Sequence, residues 1–359
     1  MFRLKRKYSN YFWIITIIAF ALVPLTADAK KKKDRVKRDF RYADIDHNDE
    51  LSREEWNRRG NFDLIDSNND GAISLQELRD MYAGHDNRYY SWPLSDELID
   101  RIEIDASVAT DRVAVNTVTQ ENICGFVRKA SGCRFEDQVK RGLFPTGTGP
   151  KFPENTICSG IDDYWAMSYK HKRNVNLNHG GIDIPVPWGT PIRASAAGSV
   201  VAIFEANMSK RGIEVALRHS PEQTGLPMWT YTTYGHLDKM PDLKIGQKVA
   251  MGQIIGPTGN SGLSSRKKKQ SRNRRPAVHF AAFYSDNPHY VVVKDVLVPL
   301  DGYWLDPMMF FRQTGPFDTN SVKALPESEK FVDIPVSIAS SNHIPNNTKI
   351  TWPYRCEFK

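Results

Sequence analysis

Cysteine is scarce: the 359 residues hold four, Cys124, Cys133, Cys158 and Cys356. None stands in the spacing of a zinc ribbon, so a thiolate metal site is not expected and the four read as structural. No cysteine follows the apolar stretch near the N-terminus, which argues against a bacterial lipid anchor. Long apolar runs are also lacking. Tyr11–Leu25 is the longest, and it falls short of the ~20 residues a spanning helix needs. Nothing later in the chain is expected to cross a membrane. Long helical periodicity is absent after residue 176, which argues against a wound α/β domain. Strong net charge is missing too. The formal value is +7, and no pattern of a nucleic-acid-binding fold accompanies it, so nucleic acid is not an expected partner.

Residues 1–29 read as a secretory signal. Arg3, Lys5, Arg6 and Lys7 precede the apolar run, and Ala27-Asp28-Ala29 supplies a small-residue cleavage site. The chain is thus expected to be exported, to a periplasm or beyond the cell. Export makes disulfides expected. Cys124 and Cys133 are near enough to close a short loop, which would leave Cys158 to Cys356, although four cysteines allow three pairings. The signal holds four of the 49 basic residues and one of the 42 acidic ones, leaving 45 against 41. Two runs carry much of the positive charge, residues 30–38 and 266–275. Each reads as a solvated segment with a capacity to meet anionic wall polymers or membrane headgroups.

Residues 40–84 contain a repeat with a 22-residue offset. In FDLIDSNNDGAISLQEL, Asp66, Asn68, Asp70, Ala72 and Glu77 fall at the ligand positions of an EF-hand loop. Hard oxygens alternate along it, Gly71 turns the chain, Ala72 offers its carbonyl and Glu77 closes the site with two oxygens. The first copy offers Asp44, Asp46, Asn48, Glu50 and Glu55, with Asp49 where glycine is usual. That residue must adopt a left-handed backbone, which predicts weaker binding. Leu51 and Ile73 should pair as a short strand between the loops, and Glu54–Ile65 reads as one shared helix. One or two Ca²⁺ ions, structural in role, are expected.

Residues 30–39 read as a basic linker and residues 85–175 as a connecting extension that packs beside the main domain and carries no functional claim. From 176 to 315 short strands alternate with Gly, Pro and Asn turns. Ile192–Phe204, Ile213–His219, Trp229–Leu237, Val249–Gly256 and Ala277–Tyr284 predict a mainly antiparallel β domain. Residues 316–359 form a tail. Within the β domain, His179 and Asp183 sit four apart across Gly180-Gly181, a donor pair suited to Zn²⁺. His236 ends a strand in YTTYGHL, and His279 lies within PAVHF.

His179-Gly-Gly-Ile-Asp183, followed by GTPIRASAAGSV, YGHL, GQKVAMGQIIGPTGNSG and PAVHF, resembles the LytM/lysostaphin-type zinc metallopeptidases of the M23 family. The resemblance covers about Asn178–Phe311. It implies a small antiparallel β-sheet domain whose groove holds one Zn²⁺, with His179, Asp183 and His279 as ligands and His236 as a catalytic histidine. It also implies an exported endopeptidase acting on the peptides of bacterial peptidoglycan. One departure bears on activity. The family reads His-x-His in the last motif, whereas this chain reads Ala277-Val278-His279. The missing imidazole belongs on the same face of the strand as His279. Catalysis is therefore expected to be impaired or altered. The second reading is a non-catalytic, zinc-retaining protein that binds peptidoglycan or regulates another wall hydrolase. A second departure is the basic insertion at 264–275, expected to be a mobile loop at the groove's edge.

Overall fold

The computed structural model describes residues 35–56, 62–83, 102–128, 130–161, 179–206, 209–262, 275–338 and 342–359. The signal, most of the basic insertion, and the bridge between Trp56 and Phe62 lie outside these residues. The last of these leaves the shared helix undescribed: its two ends are the helices Arg53–Trp56 and Phe62–Ile65.

The calcium-loop repeat folds around its own core. Helices Arg35–Ala43 and Leu75–Ala83 flank the loops, and Glu50–Leu51 pairs antiparallel with Ile73–Ser74, placing Leu51 opposite Ile73. Phe40, Leu51, Trp56, Ile73 and Leu78 are buried together. The first helix begins inside the stretch read as linker, because Phe40 and Ala43 supply apolar positions that this core buries.

Seven antiparallel strands make the main sheet. We number them β1 (Ile182–Pro185), β2 (Gly198–Phe204), β3 (Ile213–His219), β4 (Trp229–Leu237), β5 (Lys248–Val249), β6 (Ala277–Ser285) and β7 (Tyr303–Leu305). Their order is β5-β2-β3-β4-β6-β7, and β1 pairs with the other half of the β6 edge. Aromatic, β-branched and small residues fill β4 and β6, and both faces are covered, so these strands read as nearly continuous apolar runs. One face bears Val200, Val215, Phe280 and Ala282; the other bears Val201, Ala216, Ala281 and Phe283.

The predicted strand 192–204 is two strands, Pro191–Arg193 and β2. Between them the Ser195 amide donates to the Tyr234 hydroxyl at 2.8 Å, and Ala196 bridges to Ile350 in the tail. The extension packs against the main sheet. Val108, Ile123, Phe126 and Leu143 belong to the same core cluster as Phe283 and Trp304. Arg218, 2% exposed on β3, is ion-paired with Asp105 and Asp111 of that segment. The tail is equally integrated. Trp352 is fully buried and donates through Nε1 to the Ser159 carbonyl at 2.8 Å. Disulfides join Cys124 to Cys133 and Cys158 to Cys356.

Candidate metal centre

Sheet register brings the first two candidate ligands together. On β6, His279 stands opposite Asp183 of β1 on one side and opposite Gly235 of β4 on the other. Directly opposed residues share a face, so imidazole and carboxylate meet. His279 Nδ1 lies 3.0 Å from Asp183 Oδ1. The third arrives through the turn before β1. Gly181 has φ +152°, and a Cβ there would lie 2.7 Å from His279 Nε2 and 2.6 Å from the Phe280 carbonyl oxygen. Only glycine lets the chain pass this close to the imidazole. His179 then folds back, with Nε2 3.6 Å from Asp183 Oδ1 and its ring 4.7 Å from that of His279.

The donor pattern fits a cation. His279 Nε2 is 3.2 Å from the Gly180 carbonyl and Nδ1 3.0 Å from the Asp183 carboxylate; both oxygens only accept, and a neutral ring, with one N–H, can give its proton to the carbonyl only by leaving Nδ1 bare. Nδ1 then turns a lone pair towards the carboxylate, an arrangement that a shared cation relieves. A ligand histidine giving its other N–H to a carbonyl is the usual supporting contact of a metal site. One donor atom from each of His179, Asp183 and His279 lies within 4.8 Å of the others. Tetrahedral Zn²⁺ with bonds of about 2.0–2.1 Å separates its ligands by about 3.3 Å, which these spacings approach. Burial pushes the Asp183 carboxyl upward, but His179, His279 and His236 outweigh it and hold it well below the ordinary carboxylate range.

His236 is positioned by a local irregularity. Strict alternation along β4 would send its ring to the side of Tyr234, away from His279. The backbone of His236 is instead left-handed, φ 67°, and the β3–β4 register shifts between Ile213 and Val215. Such bulges re-aim side chains beside functional sites. The neighbouring Gly235 makes room: a Cβ there would sit 3.3 Å from His279 Cβ. The rings of His236 and His279 are 5.9 Å apart. His236 Nδ1 lies 2.8 Å from the Ser261 carbonyl, which fixes the proton on Nδ1 and leaves Nε2 as the lone-pair nitrogen. Its backbone amide donates to the Arg211 carbonyl at 2.6 Å. The Arg211 side chain pairs with the fully buried Glu214 at 2.9 Å and donates to the Asp295 carbonyl at 3.1 Å.

Ala277 is buried two residues from His279 on the same strand, opposite Pro185, so the face that would carry the second imidazole carries a methyl group. Arg211, Glu214 and Ser261 escape sequence reasoning, since only tertiary contacts give them roles at the site. Arg128 and Trp304 likewise: the indole and the guanidinium both lie against Gly180.

In the first calcium loop, Asp44, Asp46 and Glu55 each bring an oxygen within 4.8 Å of the others, and Asp49 has φ 64° where Gly71 has φ 89°. Backbone donation from Ser52, then its hydroxyl, then Ile45, holds the Glu55 carboxyl down at about 2. In the second loop, Glu77 accepts from the Ser74 and Ser67 amides, both at 2.9 Å, and Asp66 from the Gly71 amide at 3.0 Å. Both closing glutamates are therefore held ionised and oriented, as an oxygen cage requires.

Residues 177–290 match the family model described as Peptidase family M23, and residues 62–82 match EF hand. Residues 177–290 are thus similar in sequence to peptidase family M23. Peptidoglycan DD-endopeptidase ShyA of Vibrio cholerae serotype O1 is 39% identical over 85 residues, 23% of this chain and 17% of that protein. Glycyl-glycine endopeptidase ALE-1 of Staphylococcus capitis is 37% identical over 89 residues, 24% of this chain and 22% of that protein. The chain thus spans about a fifth of the length of these curated relatives. Among solved structures, an alanine-to-histidine mutant of the catalytic domain of the prophage-encoded M23 protein EnpA from Enterococcus faecalis is 26% identical. The match covers 42% of this chain and 96% of that one, with a TM-score of 0.27.

Proposed function

We propose that this chain is an exported zinc metalloendopeptidase that cleaves peptide bonds in bacterial peptidoglycan. The observation that carries the reading is the convergence of His179, Asp183 and His279 on one point, with His236 beside them. These three side chains would hold one Zn²⁺, and the EF-hand loops one or two Ca²⁺. A bound Zn²⁺ supplies a water of pKa near ~7 and a Lewis-acid contact for the peptide carbonyl. His236, its Nδ1 proton committed to Ser261, accepts a proton at Nε2 or, once protonated, donates to the oxygen that gains charge. Such a role is worth ~10²–10⁴-fold. Asp183 keeps the two ligand imidazoles oriented. Export fits the N-terminal pattern of residues 1–29 and the two disulfides. Among the described residues no helix is long and apolar enough to cross a membrane.

The test is digestion of purified peptidoglycan by the zinc-loaded full-length chain, with products identified by mass. New peptide ends that vanish on chelation and return with zinc are expected. Their absence from a protein that holds zinc and binds peptidoglycan would select the non-catalytic reading, which Ala277 favours. A wild-type protein that holds no zinc would overturn both readings.

A further inference from the structure

The bulge that aims His236 sets one residue of β3 against two of β4. Ile213 pairs with Leu237 and Val215 with Tyr234, so Glu214 stands alone opposite Gly235 and His236. An extra residue of this kind is left without its partner in the ladder. Here the His236 amide donates instead to the Arg211 carbonyl at 2.6 Å, in the turn that leads into β3. Where that turn sits decides where His236 sits.

Three contacts place the turn. Arg211 Nε is 2.9 Å from Glu214 Oε2, and its Nη2 donates to the Asp295 carbonyl at 3.1 Å. Gly212 passes so near the next loop that a Cβ there would lie 2.3 Å from the Ser261 carbonyl carbon. That carbonyl is 2.8 Å from His236 Nδ1, and the Ser261 hydroxyl accepts from the Ile213 amide at 3.0 Å. Arg211 also stands on the metal side of the sheet. A Cβ on Gly235 would be 3.2 Å from Arg211 Cβ and 3.3 Å from His279 Cβ.

Stability alone does not account for the pair. Glu214 is fully buried, with both carboxylate oxygens out of contact with solvent. Taking a carboxylate out of water offsets most of what one ion pair returns, and apolar residues of similar volume often serve a fold as well. What a planar guanidinium anchored at two points supplies is position.

We propose that Arg211 and Glu214 are positioning residues that act as one unit, holding the β4 bulge and so keeping the His236 ring on the side of His279. The inference rests on the peptidase reading for the step it serves, and it assigns the pair no contact with substrate or metal.

The experiment compares wild type with Glu214→Gln, Arg211→Gln, Arg211→Lys and the double glutamine variant, each as the zinc-loaded full chain. Amide hydrogen exchange is followed by NMR, and peptidoglycan cleavage by mass. In Glu214→Gln the His236 amide should exchange roughly 10-fold faster or more, while the Thr232 amide of the same strand keeps its wild-type rate. The kcat for cleavage should fall by about 10–100-fold, with KM and zinc content unchanged. Arg211→Lys should recover part of both losses relative to Arg211→Gln. The double variant should be no worse than the poorer single one, as expected of two residues in one unit. Should Glu214→Gln not fold, the double variant, which leaves no charge unpaired, carries the same comparison. Equal acceleration at His236 and Thr232, or none at His236, would overturn the inference, as would a cleavage rate that Glu214→Gln leaves unchanged. A wild type that cleaves nothing, with the local acceleration present in Glu214→Gln, would reject the peptidase reading and sustain this one.

Discussion

Under the proposed peptidase reading, proton handling at the centre turns on a single methyl group. His236 stands on one side of His279, and Ala277 occupies the position two residues along β6 where a second imidazole would share the face. Ala277→His should therefore raise the peptide-cleavage rate, by about 10²-fold or more if acid–base transfer limits it, with the zinc content unchanged. Cleavage rate and zinc stoichiometry, measured on the same preparations, check this. An unchanged rate would assign the proton steps to His236 alone. At this scale the site was largely legible in the sequence. His179 and Asp183 lie four apart around two glycines, and His236 and His279 each end or occupy a strand pattern, so type and spacing announced them. Arg211 was not legible, because a charged residue in a loop acquires a role only from what the fold sets beside it.

At the scale of elements, β3, β4 and β6 followed directly from alternation and apolar runs. The break at Ser195–Ala197 did not, since it depends on Ile350, more than 150 residues away, and on the hydroxyl of Tyr234. The tail that supplies Ile350 and Trp352 is tied by Cys158–Cys356 across 198 residues, while Glu357–Phe358 pairs with Thr156–Ile157. In the chain-entropy view a loop of that length is worth about 5 kcal/mol, against about 2.6 kcal/mol for the nine-residue loop of Cys124–Cys133. Replacing both Cys158 and Cys356 by serine should thus lower the unfolding free energy much more than the same change at Cys124 and Cys133. Denaturant titration of the two double variants checks the order. Equal losses would show that the tail is held by its packing alone.

The whole molecule carries a pH limit of its own. His219 is fully buried on β3, with Nδ1 2.7 Å from the Ala197 carbonyl and Nε2 2.8 Å from Thr232 Oγ1. Burial brings its pKa down to about 4, against the upward pull of the Ala197 carbonyl. Above pH 6.5 the ring is neutral whether folded or not. Between about 6.5 and 4 the unfolded chain takes up a proton that the folded one refuses. Stability should then fall with acidification, by on the order of 1 kcal/mol per pH unit from this group. Denaturation midpoints at pH 7, 5.5 and 4.5 test the slope. His219→Gln should be less stable at pH 7 and lose stability less steeply below it; parallel slopes would place the acid sensitivity elsewhere.

Arg218, buried on β3, is answered by Asp105 and Asp111 from outside the stretch that matches the M23 family. Losing one partner of such a buried pair costs about 3–5 kcal/mol, because it strands a charge in the interior. The three residues therefore act as one unit, which any single substitution breaks and only a joint replacement spares. The segment that bears Asp105, and with it Arg128, is bound to the sheet by the same constraint that keeps the sheet folded.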